Sequence, residues 1–516
     1  MKNEARGNAA GSGVCKVCMW GYLPAASPQR TPLLHPTLVP ITALDDPLKI
    51  VCNGGCGFGI GISESGKLNT WGSTTELGQC YLISGKQQEV PEPYLLPTDS
   101  PIIQAAGGWA HCAAVTGNGE VYTWGWSECV PSVTLNAVEE SEQVQEDDIP
   151  PDVPGTSLQL LSRNNVNAAR SEPLPSSGSP LRLTGGLQGR TKQSGRQNQR
   201  NLTCKFTENR VVEEVLKKRK VVSFEDGGSP ESPTAADENV FSPPFLVNLD
   251  AGIRIASVAA GGRHTLALSD VGHVWAWGYG GDGQLGLGSR MRIVSSPQQI
   301  PCLNLTEKAV ARSGVPIPGK CIKAIACGGR HSAVVTDAGA LLTFGWGLHG
   351  QVGQGSTEDE LSPCCVSTIG GLRIVGIAAG LWHTLCITDV GDVYAFGGNQ
   401  FGQLGVGGNA AELSPRMIDA PLLEDESCVE VACGARHSAV LTGSGKIFAW
   451  GWNKYGQLGL GDCNNRDLPV QVTMNDGGRA ASIACGWWHT LASVHMTPLA
   501  SNHQLANTAS SIHPPL

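Results

Sequence analysis

Residues 259–278 read AAGGRHTLALSDVGHVWAWG, and the stretch returns as IACGGRHSAVVTDAGALLTFG from Ile325, IAAGLWHTLCITDVGDVYAFG from Ile377 and VACGARHSAVLTGSGKIFAWG from Val431. Anchored on its histidine, the unit stands at His264, His331, His383 and His437, with relatives at His111 and His489 and a seventh copy in which Phe58 holds the place. A glycine precedes the anchor by three residues in all seven copies: Gly55, Gly108, Gly261, Gly328, Gly380, Gly434 and Gly486. Thirteen residues after it an aromatic stands in six: Trp71, Trp124, Trp277, Phe344, Phe396 and Trp450. The anchors lie 53, 153, 67, 52, 54 and 52 residues apart, so a period near 52 is interrupted by about 100 residues in one interval and about 15 in another. Repeats of this length mark architectures in which each unit needs its neighbours to bury its faces.

Within a unit, residues around the anchor alternate small or apolar with polar. A glycine eight residues on (Gly272, Gly339, Gly391, Gly445) then breaks the run before a second one rich in aromatic and β-branched residues. That pattern predicts two strands and a turn. A GQLG stretch follows at Gly283–Gly286, Gly402–Gly405 and Gly456–Gly459, where glycines permit the positive φ of tight connections. Each unit is then a small antiparallel sheet, and seven in series are best satisfied by packing face to face around an axis. The termini fit this reading. The last unit stops near Ser493 without an aromatic strand, while Lys16-Val17-Cys18-Met19-Trp20-Gly21 matches Lys67-Leu68-Asn69-Thr70-Trp71-Gly72 and has no anchor before it. The expectation is an all-β fold, a closed seven-bladed propeller of four-stranded blades. Its blades span 14–126 and 244–493, with a disordered low-complexity insertion at 127–243 and a disordered tail at 494–516.

Composition agrees: glycine is 67 of 516 residues, nearly twice the usual share of about 7%. A hydrophobic share of 41% excludes wholesale disorder, and the glycines exclude a long coiled coil. No apolar run approaches the roughly 18 residues of a membrane span, and the start lacks a signal-peptide core. A soluble, non-secreted protein is expected, its 18 cysteines reduced. A net charge of −9 argues against nucleic-acid binding by the whole surface, although a local patch stays open.

The GGRHT/S anchor, the aromatic-Gly pair and the GQLG stretch in this period resemble the regulator-of-chromosome-condensation repeat family. The resemblance covers 14–126 and about 244–493; the first two copies depart from it in lacking GQLG, the first also in Phe58. It implies a propeller and, by way of different members, nuclear guanine-nucleotide exchange on a small GTPase, chromatin association, a place in ubiquitin ligases, ultraviolet photoreception in plants, or plant chilling and freezing tolerance. The photoreceptor branch resembles a series of GWRHT copies, Trp two before the anchor with Arg beside it. Here that position reads Cys56, Trp109, Gly262, Gly329, Leu381, Ala435 and Trp487, and Ala110 and Trp488 follow the two tryptophans. An indole cluster held by guanidinium groups is therefore not expected. Exchange needs only a projecting wedge, which spacing does not reveal, and residues 1–14 lack the founding branch's basic arm.

The insertion segregates its charges. Glu139, Glu140, Glu142, Glu146, Asp147, Asp148 and Asp152 come first; 153–220 then carries a net of +9, leaving −18 for the rest of the chain. Lys217, Lys218, Arg219 and Lys220 end a helix-compatible EEVLKKRK run and match a nuclear-import signal. Ser229-Pro230, Ser232-Pro233 and Ser242-Pro243 match proline-directed phosphorylation dipeptides in a flexible segment.

No catalytic, cofactor or metal site is expected. The anchor histidines His111, His264, His331, His383, His437 and His489 are spread around a ring, whereas metal ligands must converge within about 2.1 Å of one ion, so they read as structural. Cys15 and Cys18 point to opposite faces of a strand. Cys327, Cys433 and Cys485 stand where other copies have Ala or Gly and read as small packing residues. Gly61…Gly66-Lys67 and Gly314…Gly319-Lys320 echo a phosphate loop but continue with Leu68 and Cys321 in place of Ser/Thr. The reading is a nuclear, non-enzymatic propeller whose partners are proteins, among them chromatin components such as histones. A small-GTPase exchange factor is the first alternative and a ubiquitin-ligase scaffold without a visible catalytic domain the second. Direct nucleic-acid binding is left open, and no membrane partner is expected.

Overall fold

A computed structural model describes residues 15–23, 31–40, 46–52, 54–74, 86–131, 241–303, 317–474 and 478–495. It contains seven four-stranded antiparallel sheets. The first blade is Leu48–Cys52, Phe58–Ser63, Leu68–Thr74 and Lys86–Pro93. The second is Ile102–Gly107, His111–Thr116 and Val121–Trp126, completed beyond the insertion by Phe241–Leu246. Blades three to six begin at Ile255, Ile322, Ile374 and Cys428. The seventh takes its two inner strands, Arg479–Cys485 and His489–His495, from one end of the chain and its two outer strands, Cys15–Gly21 and Leu33–Leu38, from the other.

The terminus thus supplies two strands where the sequence marked one. Trp20 and Gly21 pair with Thr490 and His489 as Trp277 and Gly278 pair with Thr265 and His264. Leu33–Leu38 carries no repeat mark except a proline. All seven outer strands hold one (Pro36, Pro91, Pro243, Pro297, Pro363, Pro415, Pro469), which removes a ladder donor from the edge that faces away from the axis.

Ring closure follows from the cores. Seven apolar clusters lie between the blades, one per junction, and Val17, Met19, Ala484 and Leu491 of the seventh meet Leu48, Val51 and Trp71 of the first. Inner-strand turns add backbone bonds from blade to blade, such as Gly262 N to Gly328 O (3.0 Å) and Ala435 N to Trp487 O (3.2 Å). The aromatics thirteen residues after the anchor are fully buried, as is Trp20. Four of them, Phe344, Phe396, Trp450 and Trp20, pack under the last glycine of a loop of the preceding blade, Gly286, Gly353, Gly405 and Gly459. Gly405, at φ +71, would place a Cβ 2.6 Å from Trp450 Nε1, so this position admits no side chain.

Among the described residues the helical segments are two three-residue 3-10 turns, and no helix is long and apolar enough to cross a membrane. Cys129 and Val130 are buried and the second blade's outer strand opens at Phe241, so the ring keeps a few residues at each end of 127–243. Ser242 lies in that strand, paired with Gly125, which corrects its placement in a flexible segment. Lys217–Lys220, Ser229, Ser232 and the tail lie outside the described residues.

Candidate functional site

The anchor histidines come first, because they hold the turns that build the site. His111, His264, His331, His383 and His437 each place Nε2 2.8–3.0 Å from a Thr or Ser hydroxyl of the next blade: Thr265, Ser332, Thr384, Ser438 and Thr490. Four of those hydroxyls also donate to a GQLG carbonyl, Gln284, Gln351, Gln403 or Gln457. A hydroxyl has one proton, so Nε2 must be the donor and Nδ1 the bare nitrogen. Nδ1 has no partner among the described residues in any of the six. Burial pushes their pKa values down to about 4 for His111 and His383 and about 3 for the others, so the rings are neutral. Gln351 belongs to a fourth loop, Gly350-Gln351-Val352-Gly353, whose valine hid it from the sequence pattern.

Around the axis, Cys327, Cys433 and Cys485 line a cavity of about 40 Å³ with Ala260, Ala379, Gly54 and Gly107. All seven equivalent positions therefore converge where the inner strands crowd. Burial pushes the Cys327 and Cys485 thiols up to about 12, and no group of three or more metal-ligating side chains occurs among the described residues. Gly66, in the first of the two phosphate-loop echoes, turns the hairpin between two strands of the first blade; Gly314 of the other lies outside the described residues.

The turn before each anchor and the loop after each aromatic strand emerge on one face of the ring. Of the 13 tryptophans, Trp20, Trp71, Trp124, Trp275, Trp277 and Trp450 are buried in the core. The other seven are on this face. Trp109 of the second blade stacks on Trp487 of the seventh at 5.7 Å between ring centroids. Trp487 meets Trp488, which meets Trp452 at 5.3 Å. Trp346 and Trp382 are joined through His349, 5.2 Å from each.

Guanidinium groups link these rings. Arg436 lies 5.0 Å from Trp382, 5.0 Å from Phe401 and 5.4 Å from Trp452; Arg263 lies 5.1 Å from Trp126 and 5.8 Å from Trp109 and Tyr279; Arg330 lies 4.9 Å from Trp346. Asp282 reaches Arg330 at 3.7 Å, and burial raises its carboxyl against that attraction. Arg263 and Arg436 have no carboxylate partner among the described residues, and Arg436 Nε is buried without an acceptor.

This belt corrects the expectation that no indole cluster held by guanidinium groups forms. That expectation tested one position, two before the anchor. The rings come also from the position before the anchor (Trp382, Trp488) and from fifteen after it (Trp126, Tyr279, Trp346, Trp452), while Arg263 and Arg436 reach indoles of the preceding blade and Arg330 reaches Trp346 of its own.

The comparisons agree with the geometry. A family model described as RCC1-like domain matches residues 190–499, and one described as regulator of chromosome condensation (RCC1) repeat matches 102–129. Among curated proteins the chain is 36% identical over 249 residues to the ultraviolet-B receptor UVR8 of Arabidopsis thaliana, covering 48% of this chain and 53% of that one. It is 36% identical over 255 residues to the human E3 ubiquitin-protein ligase HERC2, 49% of this chain and 5% of the ligase. The match thus spans about half of the plant receptor and a small part of the ligase. Among solved structures, Prp20p from Saccharomyces cerevisiae superposes with a TM-score of 0.62 at 17% identity, covering 95% of this chain and 93% of that one. Human WBSCR16 gives 0.61 at 20%, covering 94% and 99%. With seven such blades and a family match over more than half its length, the chain belongs to the RCC1-like family.

Proposed function

We propose that the protein is a nuclear, non-enzymatic interaction propeller that docks chromatin proteins on its aromatic and arginine face. The observation that carries the docking is the composition of that face, seven Trp with Arg263, Arg330 and Arg436 threaded between them. Trp, Tyr and Arg are the residues in which binding energy concentrates at protein interfaces. Chromatin is the favoured class because the chain outside 153–220 carries −18, which attracts basic proteins, and because Prp20p, of the same fold, is described with binding to histones. Entry to the nucleus is assigned to Lys217–Lys220.

Affinity capture from nuclear extract in EDTA tests this, with elution by GTP and magnesium and then by salt. Histones released only by salt, and lost on Arg263→Ala with Arg436→Ala, support the reading. A small GTPase released by nucleotide would replace it with exchange; Prp20p is described with binding to Gsp1p as well as to histones.

A second reading rests on the stacked Trp109–Trp487 pair and the arginines around it, since the plant relative is an ultraviolet-B receptor. Under it, irradiation near the indole absorption band changes the oligomeric state or the partners captured. An unchanged chromatographic profile and capture set after irradiation would remove it.

A further inference from the structure

Gln104 and Glu430 occupy the same place in different blades. Each follows the irregularity in its inner strand, between Ile102 and Gln104 or Cys428 and Glu430. Each reaches one backbone position in the next blade. Gln104 saturates it: Nε2 donates to Val258 O at 2.9 Å and Oε1 accepts from Val258 N at 2.7 Å. Glu430 Oε2 accepts from Ile483 N at 3.2 Å. Val258 and Ile483 are themselves equivalent, paired with Ala267 and Ala492 of their anchor strands.

In an antiparallel ladder, a residue whose N–H leaves its partner strand sends its C=O the same way. Ile483 therefore offers both a donor and an acceptor to the sixth blade, as Val258 does to the second. An amide answers both. A carboxylate only accepts, whereas a neutral carboxyl group answers both as the amide does.

The surroundings favour the neutral form. Burial pushes Glu430 up to about 7, with the Ile483 N–H the one opposing influence. Cys428 and Cys433 stand on its own strand, Cys485, which the Glu430 charge reaches, on the facing strand, and His437 and His489 on the anchor strands. The thiols are pushed up by burial and the imidazoles down, so all five are uncharged at neutral pH. Arg479, at the start of the facing strand, is turned to Ser444 O at 3.0 Å.

We propose that Glu430 latches the sixth blade to the seventh as a neutral carboxylic acid, and that losing its proton loosens the ring at the blade assembled from the chain's two ends. The sign is set by linkage. In the unfolded chain a glutamate titrates near 4.3, so the latch contributes fully below about that pH and is lost as pH rises through about 7.

The test is thermal melting of the full chain and of Glu430→Gln from about pH 5.5 to about 8.5. The variant keeps both bonds at any pH. The expected result is that the wild-type Tm falls progressively below that of the variant as pH rises through neutrality; a constant offset overturns the latch. Gln104→Glu provides an independent arm. It should acquire the same pH dependence at the junction of the second and third blades, and a Tm difference from wild type that is flat with pH overturns the proposal as well.

Discussion

Gly59 stands where each of the other anchor histidines finds a hydroxyl, so His489 finds no partner for either ring nitrogen among the described residues. Gly59 pairs with Trp71 in the first blade as Ser332 pairs with Phe344 in the fourth. A serine there would force the buried Trp71 ring to shift, because a Cβ would meet it at 2.5 Å. The neighbouring departure has the same logic: Phe58 needs no hydroxyl, and Cys112 of the second blade offers none, the two packing in one apolar cluster.

His264→Phe should therefore cost more than His489→Phe. The first loses a buried bond to Ser332, about 1–3 kcal/mol. The second loses none and should be close to neutral. Phe58 shows that a phenyl ring fits beside the corresponding glycine. Urea unfolding of both variants measures the difference, and equal costs would show that the interblade bonds do not stabilise the ring.

Acid should unfold the ring steeply. The anchors are held neutral with pKa values of about 3 or 4, while an unfolded histidine titrates near 6.5. The unfolded state thus binds more protons, and stability present above about pH 6.5 is lost as pH falls, by up to about 1.4 kcal/mol per unit for each histidine. Denaturation at stepped pH should show proton uptake approaching six on unfolding; uptake below two would contradict buried neutral rings.

Fixed offsets made the blades legible, because a propeller repeats one packing problem and so repeats its answer: glycine where the inner turns meet, an imidazole at the junction, an aromatic under a glycine. What varies between blades was harder to read. Leu33–Leu38 is paired along its inner edge alone and needs no repeat mark, so the second terminal strand went unseen. The aromatic face was missed for another reason. Its rings and guanidiniums occupy three different offsets, and the contacts that join blades, such as Arg436 to Trp382, are contained in no single copy.

The loop glycines separate packing from backbone strain. Gly405 and Gly408 both sit at positive φ, +71 and +75, yet a Cβ on Gly405 strikes Trp450 whereas one on Gly408 meets nothing within 4 Å. Gly408→Ala should cost about 1–2 kcal/mol, the penalty for an L-residue in the left-handed region. Gly405→Ala should cost more, because the buried Trp450 must shift and its bond to the Gln403 carbonyl weakens. Chemical denaturation of the two variants decides it, and indistinguishable midpoints would mean that the aromatic moves freely.

The insertion can be removed, but only between the right residues. Cys129 and Val130 are buried and Phe241–Leu246 is the outer strand of the second blade, with Phe241 paired to Trp126 and Leu246 to Tyr122. Excising 132–240 and bridging the gap with a short flexible linker keeps that strand, and the product should melt as cooperatively as the whole chain. Excising 127–243 removes the first half of the strand together with Cys129 and Val130. The second blade then ends in an incomplete edge, and the apolar cluster containing Val247 and Trp275 loses part of its cover. This second product should melt well below the first. Differential scanning calorimetry of both compares them directly, and equal melting temperatures would show that the flanking residues contribute nothing to the ring.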